Sequence, residues 1–498
     1  MTRTFLNFPV WKYDNFLSLT QSDVDGMLRA SFKLVLKVGL HIEEEEYLRQ
    51  LEAKGARIDW NRRAVTFSQA QLDEVCSILK KTRPAREHGD PLRCVGGHKP
   101  LWVGAGGNMF FDWDAWQARA ATGEDVKRVC QWASAYEDVG SFFEPFMPKD
   151  VDMRIEPLYT YAIMGRYCSK KIFHAQPTDP IHVKYLDKMA RIVERRRGFF
   201  QDMQPWEYIN PPFRLGGRAI ATMLARIDSG ICNVIGIGPM TVSGMTGPVT
   251  VAGTAVVAVA EMLAGLTAFH IMRPEPGLQV VSCTGELDLA TARVKFCGMR
   301  THLQNIAIAE IMRRGIGAEC DFMTWYRDAN EPGLQACYEF ALQQTLFSAL
   351  KHHCTPEVGG LADGNLFSPE QAVMDVEMIK EFEEQISGFD ADDEMIALEE
   401  SLTAGFEQGY HLSTDHTLRH MRQHVAFSQF FLRGYPAAAD HDKSYTQAQR
   451  LMDKAHDNCL QNFKKGRELP PDEQLGRELY ECVKEAASEL GISAPSMV

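Results

Sequence analysis

Paired cysteine motifs are missing from this chain. Its 12 cysteines are scattered and include no Cys-x-x-Cys, so a disulfide framework or zinc ribbon loses its usual support, and reduced, mostly buried thiols in a cytosol fit better. The start, MTRTFLNFPVWKYDNF, has no basic segment followed by an apolar one, so no secretory signal is read and a cytoplasmic location is expected. Positive charge is also short: 53 Lys and Arg against 66 Asp and Glu leave a formal net charge of −13. Such a surface repels phosphate backbones and anionic lipid, so no nucleic acid and no membrane is expected as a partner, whereas a cationic ligand suits it.

Unbroken apolar runs are scarce. From Ser229 to Ala260 no residue is charged, yet Pro239, Pro248 and repeated glycines break the run, and Glu261 interrupts its continuation to Met272. A membrane-spanning helix needs ~20 predominantly apolar residues without such breaks, so the tract reads as a buried strand, a glycine-rich loop and a buried helix. Complete nucleotide loops are absent as well. Gly104-x-Gly106-Gly107 and Gly236-x-Gly238 stop short of G-x-G-x-x-G, and no G-x-x-x-x-G-K-[ST] occurs. G-x-S-x-G, a papain-type cysteine signature and H-E-x-x-H are missing too, which removes the commonest hydrolase readings.

What remains is ample core material, 45% hydrophobic over 498 residues. Residues 1–98 read as a mostly helical N-terminal domain. Helical spacing covers Gln21 to Gly39, with Ser22 or Thr20 as cap, then Glu43 to Lys54 and Ser68 to Lys81, with RIDWNRRAVTF as a small hairpin. From residue 99 short apolar runs alternate with helical patterns. The strand-like runs are Asn108–Phe111, Ser141–Met147, Lys171–Ala175, Phe199–Met203, Ile231–Ile237, Leu278–Thr284, Ile316–Phe322 and Glu357–Leu361. Thr122 with Asp125, Thr246 before Pro248, and Ser368-Pro369 with Gln371 read as helix starts. Eight strand–helix repeats predict an α/β fold, a (β/α)8 TIM barrel over 99–390, with an open doubly wound sheet as the competitor. A C-terminal helical extension over 391–498 ends in two exposed helices joined at Pro470-Pro471.

In such a barrel chemistry sits in the loops after the strands. Those loops are rich in rings: Phe322, Trp325, Tyr326, Trp206, Tyr208, Trp113 and Trp116. Aromatic faces can hold a quaternary ammonium at roughly 0.5–2 kcal/mol each, or the rings simply plug the barrel mouth. Gly106, Gly107, Gly238 and Gly244 would let a large planar ligand approach the backbone. His416, His420 and His424 recur every four residues, a spacing that can hold zinc but also suits a helix with locally bonded histidines; no metal is the expectation. Glu144, Glu286, Asp288, Asp328 and Asp363 are acid–base groups or helix caps.

Longer tracts carry a resemblance. KLVLKVGLHIEEEEYLRQLEAKGARIDWNRRAVTF, PMTVSGMTGPVTVAGTAVVAVAEMLAGLTAFHIMRP, LADGNLFSPEQAVMDVEMI, HTLRHMR and LPPDEQLGREL together resemble the trimethylamine/glycine betaine:corrinoid methyltransferase superfamily. The resemblance implies a TIM barrel, no tightly bound cofactor, and cobalamin carried by a separate corrinoid-binding protein as methyl acceptor; tetrahydrofolate is the alternative acceptor. Trimethylamine-using members carry pyrrolysine, and this chain has only the twenty standard residues. The tract Asp328 to Ala336 also differs, with Asn330 and Gly333 where the family often has lysine and a second acid.

A quaternary ammonium already carries the charge that a tertiary amine lacks, so it can lose a methyl without an obligatory proton donor. The expected substrate is therefore a quaternary amine, glycine betaine first, with carnitine, butyrobetaine or proline betaine behind it. Trp325, Tyr326, Phe322, Trp206 and Tyr208 are the expected cage. Glu286 or Glu144 would face the cation, and Arg327 or His174 would meet a substrate carboxylate. A homo-oligomer is expected. The rivals are a non-catalytic quaternary-ammonium binding protein and a metal-dependent barrel hydrolase or lyase using the histidine stripe.

Overall fold

The structure is a computed structural model that describes residues 19–84, 102–104, 106–137, 139, 141–172, 176–198, 206–322, 326–349, 357–387, 390–424, 430–431 and 447–498. Eight parallel strands alternate with eight helices. The strands are β1 Trp102–Val103, β2 Ser141–Phe142, β3 Lys171–Ile172, β4 Trp206–Ile209, β5 Val234–Pro239, β6 Gly277–Ser282, β7 Asp321–Phe322 and β8 Glu357–Val358. The helices that follow them are α1 Gly123–Ala135, α2 Glu156–Tyr167, α3 Pro180–Arg197, α4 Gly217–Asp228, α5 Val251–Met272, α6 Met299–Glu310, α7 Leu334–Ala349 and α8 Pro369–Ser387. One arc runs β8-β1-β2-β3 and the other β4-β5-β6-β7, all parallel. Because the last strand pairs with the first, the sheet curls back on itself, and the fold is a (β/α)8 barrel. The two remaining seams, β3–β4 and β7–β8, carry no ladder among the described residues.

Two strand expectations need correction. The first barrel strand is Trp102–Val103, not the Asn108–Phe111 run. Met109–Asp112 forms a hairpin with Gln117–Ala120 and pairs with Leu366–Phe367 beyond β8. The longer apolar run won the sequence reading because two residues of strand leave no periodicity to detect. The fourth strand is Trp206–Ile209, which the sequence reading had placed in a loop; Phe199–Met203 lies outside the described residues.

Helix starts follow local chemistry. Thr20 with Asp23, Ser68 with Gln71, and Thr122 with Asp125 each form reciprocal capping boxes. The start of α5 is set by Thr250, whose hydroxyl accepts from Gly253 N, rather than by Thr246. This helix is long and apolar enough to cross a membrane by composition, but most of its most apolar stretch is buried inside the protein. Glu261 within it accepts from Phe213 N at 2.9 Å and Thr241 Oγ1 at 2.5 Å.

Of the N-terminal helices Gln21–Val38, Glu45–Ala53 and Gln69–Thr82, the third ends against the barrel floor, where strands begin. Thr82 Oγ1 accepts from Leu278 N at 3.2 Å at the start of β6, and Arg83 pairs with Asp321 at 2.6 Å at the start of β7. The C-terminal helices Gln447–Glu468 and Glu473–Glu489 are not exposed rods. The first buries Ala455, Cys459 and Phe463, the second Leu475, Leu479, Cys482 and Val483, all in the apolar cluster shared with α1, α2 and α3. Amphipathic helices at the chain end bury a stripe whenever a neighbouring helix offers one.

The loops above β7 and β8 are fastened from beneath. Arg327 and Asp375 of α8 are both fully buried and paired at 2.6 and 3.0 Å. Asp375 also accepts from Gly359 N at 2.8 Å and from Gln371 Nε2 at 2.7 Å. Arg327 donates to Glu357 O at 3.2 Å and lies over the Phe340 ring. Removing one partner would strand a buried charge. Asp375→Ala is expected to lower unfolding stability by roughly 3–5 kcal/mol, read as a shifted denaturant midpoint, whereas an exposed pair such as Arg49–Glu45 contributes little when broken.

Candidate functional site

Alternation decides which side chains enter the barrel. On β6, Leu278 and Val280 join the apolar layer under the helices, and Ser282 donates to Asn305 of α6 at 2.5 Å. Gln279, Val281 and Cys283 therefore face inward. On β5, Ile235 and Ile237 take the outward layer, which leaves Gly236 and Gly238 inside. On β4, Glu207 pairs with Arg226 of α4 at 2.9 Å and Ile209 packs against Gly265 of α5. Trp206 and Tyr208 are thus aimed into the lumen.

The two glycines explain how such large rings fit. A Cβ at Gly236 would collide with the six-membered ring of Trp206. One at Gly238 would sit 2.8 Å from Val281 Cγ1 and 3.2 Å from Tyr208 Cδ1. Around the buried Val281 and Cys283 gather Trp206, Tyr208, Met240, Phe296 and Tyr326, all half-buried. Phe296 and Tyr326 stack at 4.8 Å with planes 27° apart. The result is a ring-lined arc on the β4–β7 side, at the ends where strands finish. Burial pushes the Tyr208 hydroxyl and the Cys283 thiol well above their ordinary ranges, so both stay protonated and neither is a nucleophile.

The opposite arc carries carboxyl groups. Glu144, three residues past the start of β2, is fully buried; Oε2 accepts from Gln176 N at 3.2 Å and Oε1 has no partner among the described residues. Burial, with some help from Glu156, pushes its carboxyl up to about 8. On β8, Val358 lies in the outer apolar layer with Val373 and Val376, so Glu357 faces inward. It is 2% exposed, and its Oε1 also lacks a partner among the described residues. Sequence reasoning gave Glu357 no role; an isolated acid at the head of a two-residue strand has no motif, and only the register reveals its direction.

The remaining expected residues fall elsewhere. Phe322 packs outward in the core under the helices. Arg327 is held by Asp375, as above. Glu286 lies on the hairpin Gly285–Asp288/Arg293–Lys295 above β6, opposite Lys295 and paired with Arg300 at 2.9 Å. Gly106 and Gly244 take left-handed turns, and Gly107 passes against the backbone of Asn365 so closely that no Cβ fits. Each of the four singled-out glycines thus has a local reason in turn or packing geometry. Trp113 and Trp116 meet edge to face at the outer hairpin, with Trp113 flat against His456 at 4.7 Å. His420 contacts Glu394 at 3.2 Å, and no group of three His, Cys, Asp or Glu is set to hold a metal among the described residues. His174 and Trp325 lie outside the described residues.

Comparison with known proteins adds to the geometry. Residues 3–489 match the family described as trimethylamine methyltransferase (MTTB). The trimethylamine methyltransferase MttB of Desulfitobacterium hafniense is 22% identical over 472 residues, covering 91% of each chain. MttB1 of Methanosarcina mazei is 23% identical over 302 residues, covering 57% of each. Among solved structures, the monomethylamine methyltransferase MtmB of Methanosarcina barkeri aligns with a TM-score of 0.42 at 11% identity, covering 90% of this chain and 97% of its own. A hydroxylamine complex of MtmB aligns at 0.46 and 11%, covering 89% and 88%.

The buried acid at β2 makes stability depend on pH. Glu144 keeps its proton in the folded protein up to about 8 but loses it near 4.5 when unfolded, so its contribution is full at low pH and is lost as pH rises through that window. Glu144→Gln is expected to melt a few degrees less differently between pH 6 and pH 8.5 than the parent protein, in paired thermal melts.

Proposed function

The chain belongs to the trimethylamine methyltransferase family, and from that premise we propose that it takes a methyl group from a quaternary amine, glycine betaine foremost, and passes it to the cobalt(I) of a separate corrinoid protein. The observation that carries the reading is the ring-lined arc of Trp206, Tyr208, Phe296 and Tyr326 around Cys283 at the barrel mouth. A trimethylammonium head has no N–H to donate, so hydrogen bonds cannot select it. Ring faces can, each contributing on the order of 0.5–2 kcal/mol as the site sheds water.

The reaction asks little acid–base chemistry of the protein. The C–N bond breaks with its electron pair staying on nitrogen, which leaves as a neutral tertiary amine. The new bond to the methyl carbon is made with the acceptor's own electron pair, so no proton moves. The chain's work is to hold the nitrogen against the rings, exclude water, and aim one methyl at the open face of the barrel. Protonated Cys283 and Tyr208 fit that role, since neither competes for the methyl as an anion.

Glu144 is the carboxyl proposed to answer the cation's charge, because Glu286 is already paired with Arg300. His174 is the proposed partner of a substrate carboxylate, and Trp325 a proposed further ring of the cage. Arg327 supports the mouth through Asp375 rather than by reaching the ligand.

Mixing the protein with glycine betaine and a reduced corrinoid protein is expected to convert cobalt(I) to methylcobalt(III) in the visible spectrum. No spectral change with any quaternary amine would remove the proposal. In the same assay Trp206→Leu and Tyr326→Leu should each weaken betaine binding by about 5- to 30-fold, the worth of one lost cation–π face of about 1–2 kcal/mol.

A further inference from the structure

Glu357 has no part in the function proposed above, yet its setting is unusual. The carboxyl stands on the lumen side of β8, within a strand whose other residue, Val358, is fully buried in the outer layer. It is 2% exposed, and Oε1 has no partner among the described residues. A carboxyl left so in an apolar interior is costly unless something fills the gap. The strand beside it, β1, places uncharged Trp102 in register. The charged group acting on it is Arg327, from the loop after β7, and that guanidinium is already bound by Asp375 of α8. The second unpartnered acid, Glu144, follows β2, one strand further round the same arc, with Glu156 and Lys149 near it. Rings thus stand on the β4 to β7 side of the lumen, and an unpaired carboxyl stands on β8.

We propose that Glu357 is a specificity-determining counter-charge for the ammonium ligand, ionising when the cation enters and sending its proton to solvent. The inference rests on the quaternary-amine reading and deepens it. Rings alone accept any apolar head of the right size; a carboxyl that ionises only opposite a positive charge distinguishes an ammonium from its uncharged carbon isostere. Burial holds the group well above the usual carboxylate range, with Arg327 pulling the other way. A permanent cation placed beside it favours the charged form, so binding and deprotonation become one event. The balance is simple: carboxyl plus cation gives an ion pair and one released proton, and no oxidant or co-reactant is needed.

The test compares glycine betaine with 3,3-dimethylbutanoate, which has the same shape and carboxylate but a neutral tert-butyl head. Calorimetry at pH 7 in two buffers of different ionisation enthalpy gives affinity and protons released. Wild type is expected to favour betaine and to release protons on binding it. Glu357→Gln should weaken betaine binding by tenfold or more, leave dimethylbutanoate binding within twofold, and cut the proton release by more than half. Unchanged betaine affinity and proton release in Glu357→Gln would overturn the inference while leaving the quaternary-amine function standing. Wild type binding no quaternary amine would remove both. Should Glu357→Gln fail to fold, the Glu144→Gln protein carries the test. With each ligand at saturation, which offsets the affinity lost with Glu144, its infrared band for a protonated carboxyl should be lost on adding betaine and kept on adding dimethylbutanoate, and a band that stays with both saturating ligands contradicts the proposal.

Discussion

Everything at the mouth of this barrel depends on what stands opposite the rings of β4. Trp206 and Tyr208 can turn inward because β5 offers Gly236 and Gly238 at the two facing positions, where any side chain would occupy the same space. An ordinary barrel fills its lumen with layers of branched aliphatic side chains. Here two strand positions give up that packing, the rings lie across the gap, and Val281 and Cys283 of β6 form the surface behind them. The outward residues of the same strands, Ile209, Ile235, Ile237, Leu278 and Val280, carry the ordinary work of holding helices to the sheet. One face of each strand stabilises the fold, and the other is free to be shaped for a ligand.

Rigidity around those rings comes from buried polar ties as well as from apolar contact. Arg327 and Asp375 join the loops after β7 and β8, Glu261 ties α5 to Thr241 and Phe213, and Arg226 reaches Glu207, Trp206 O and Pro177 O at 2.9 Å each. Each of these side chains has at least one partner within the protein. Glu144 and Glu357 each keep one buried oxygen without a partner among the described residues, and the register turns Glu357 toward the lumen. A cationic guest would supply what those oxygens lack, while the rings supply its solvation. That pairing of an electron-rich face with an unpaired carboxyl is the electrostatic sense of the site.

Much of the fold was legible from the chain itself. The alternation of strand and helix from residue 99, the capping box at Thr122 and the N-terminal helices with their hairpin all follow from local pattern, which local physics enforces. The misread parts are those where the deciding partner is remote in sequence. Trp102–Val103 is strand only because Glu357–Val358 and Ser141–Phe142 lie on either side. Trp-Glu-Tyr-Ile carries the alternation of a strand but was read as loop, since the apolar run before it looked sufficient. Of the rings singled out in the sequence, the barrel brings Trp206, Tyr208 and Tyr326 together. Phe322 is turned outward by the period of β7, and Phe296 enters from a hairpin that the sequence did not tie to the site. The inward direction of Glu357 is a matter of register alone, invisible without the neighbouring strands.

The central claim is that a permanent cation rests on the electron-rich faces of these rings. Replacing the protein's tryptophans by mono-, di- and trifluorinated analogues withdraws that electron density stepwise with little change of shape. The account predicts that the logarithm of the glycine betaine dissociation constant rises steadily with each added fluorine, while 3,3-dimethylbutanoate is indifferent. A betaine affinity that stays flat across the series would contradict it.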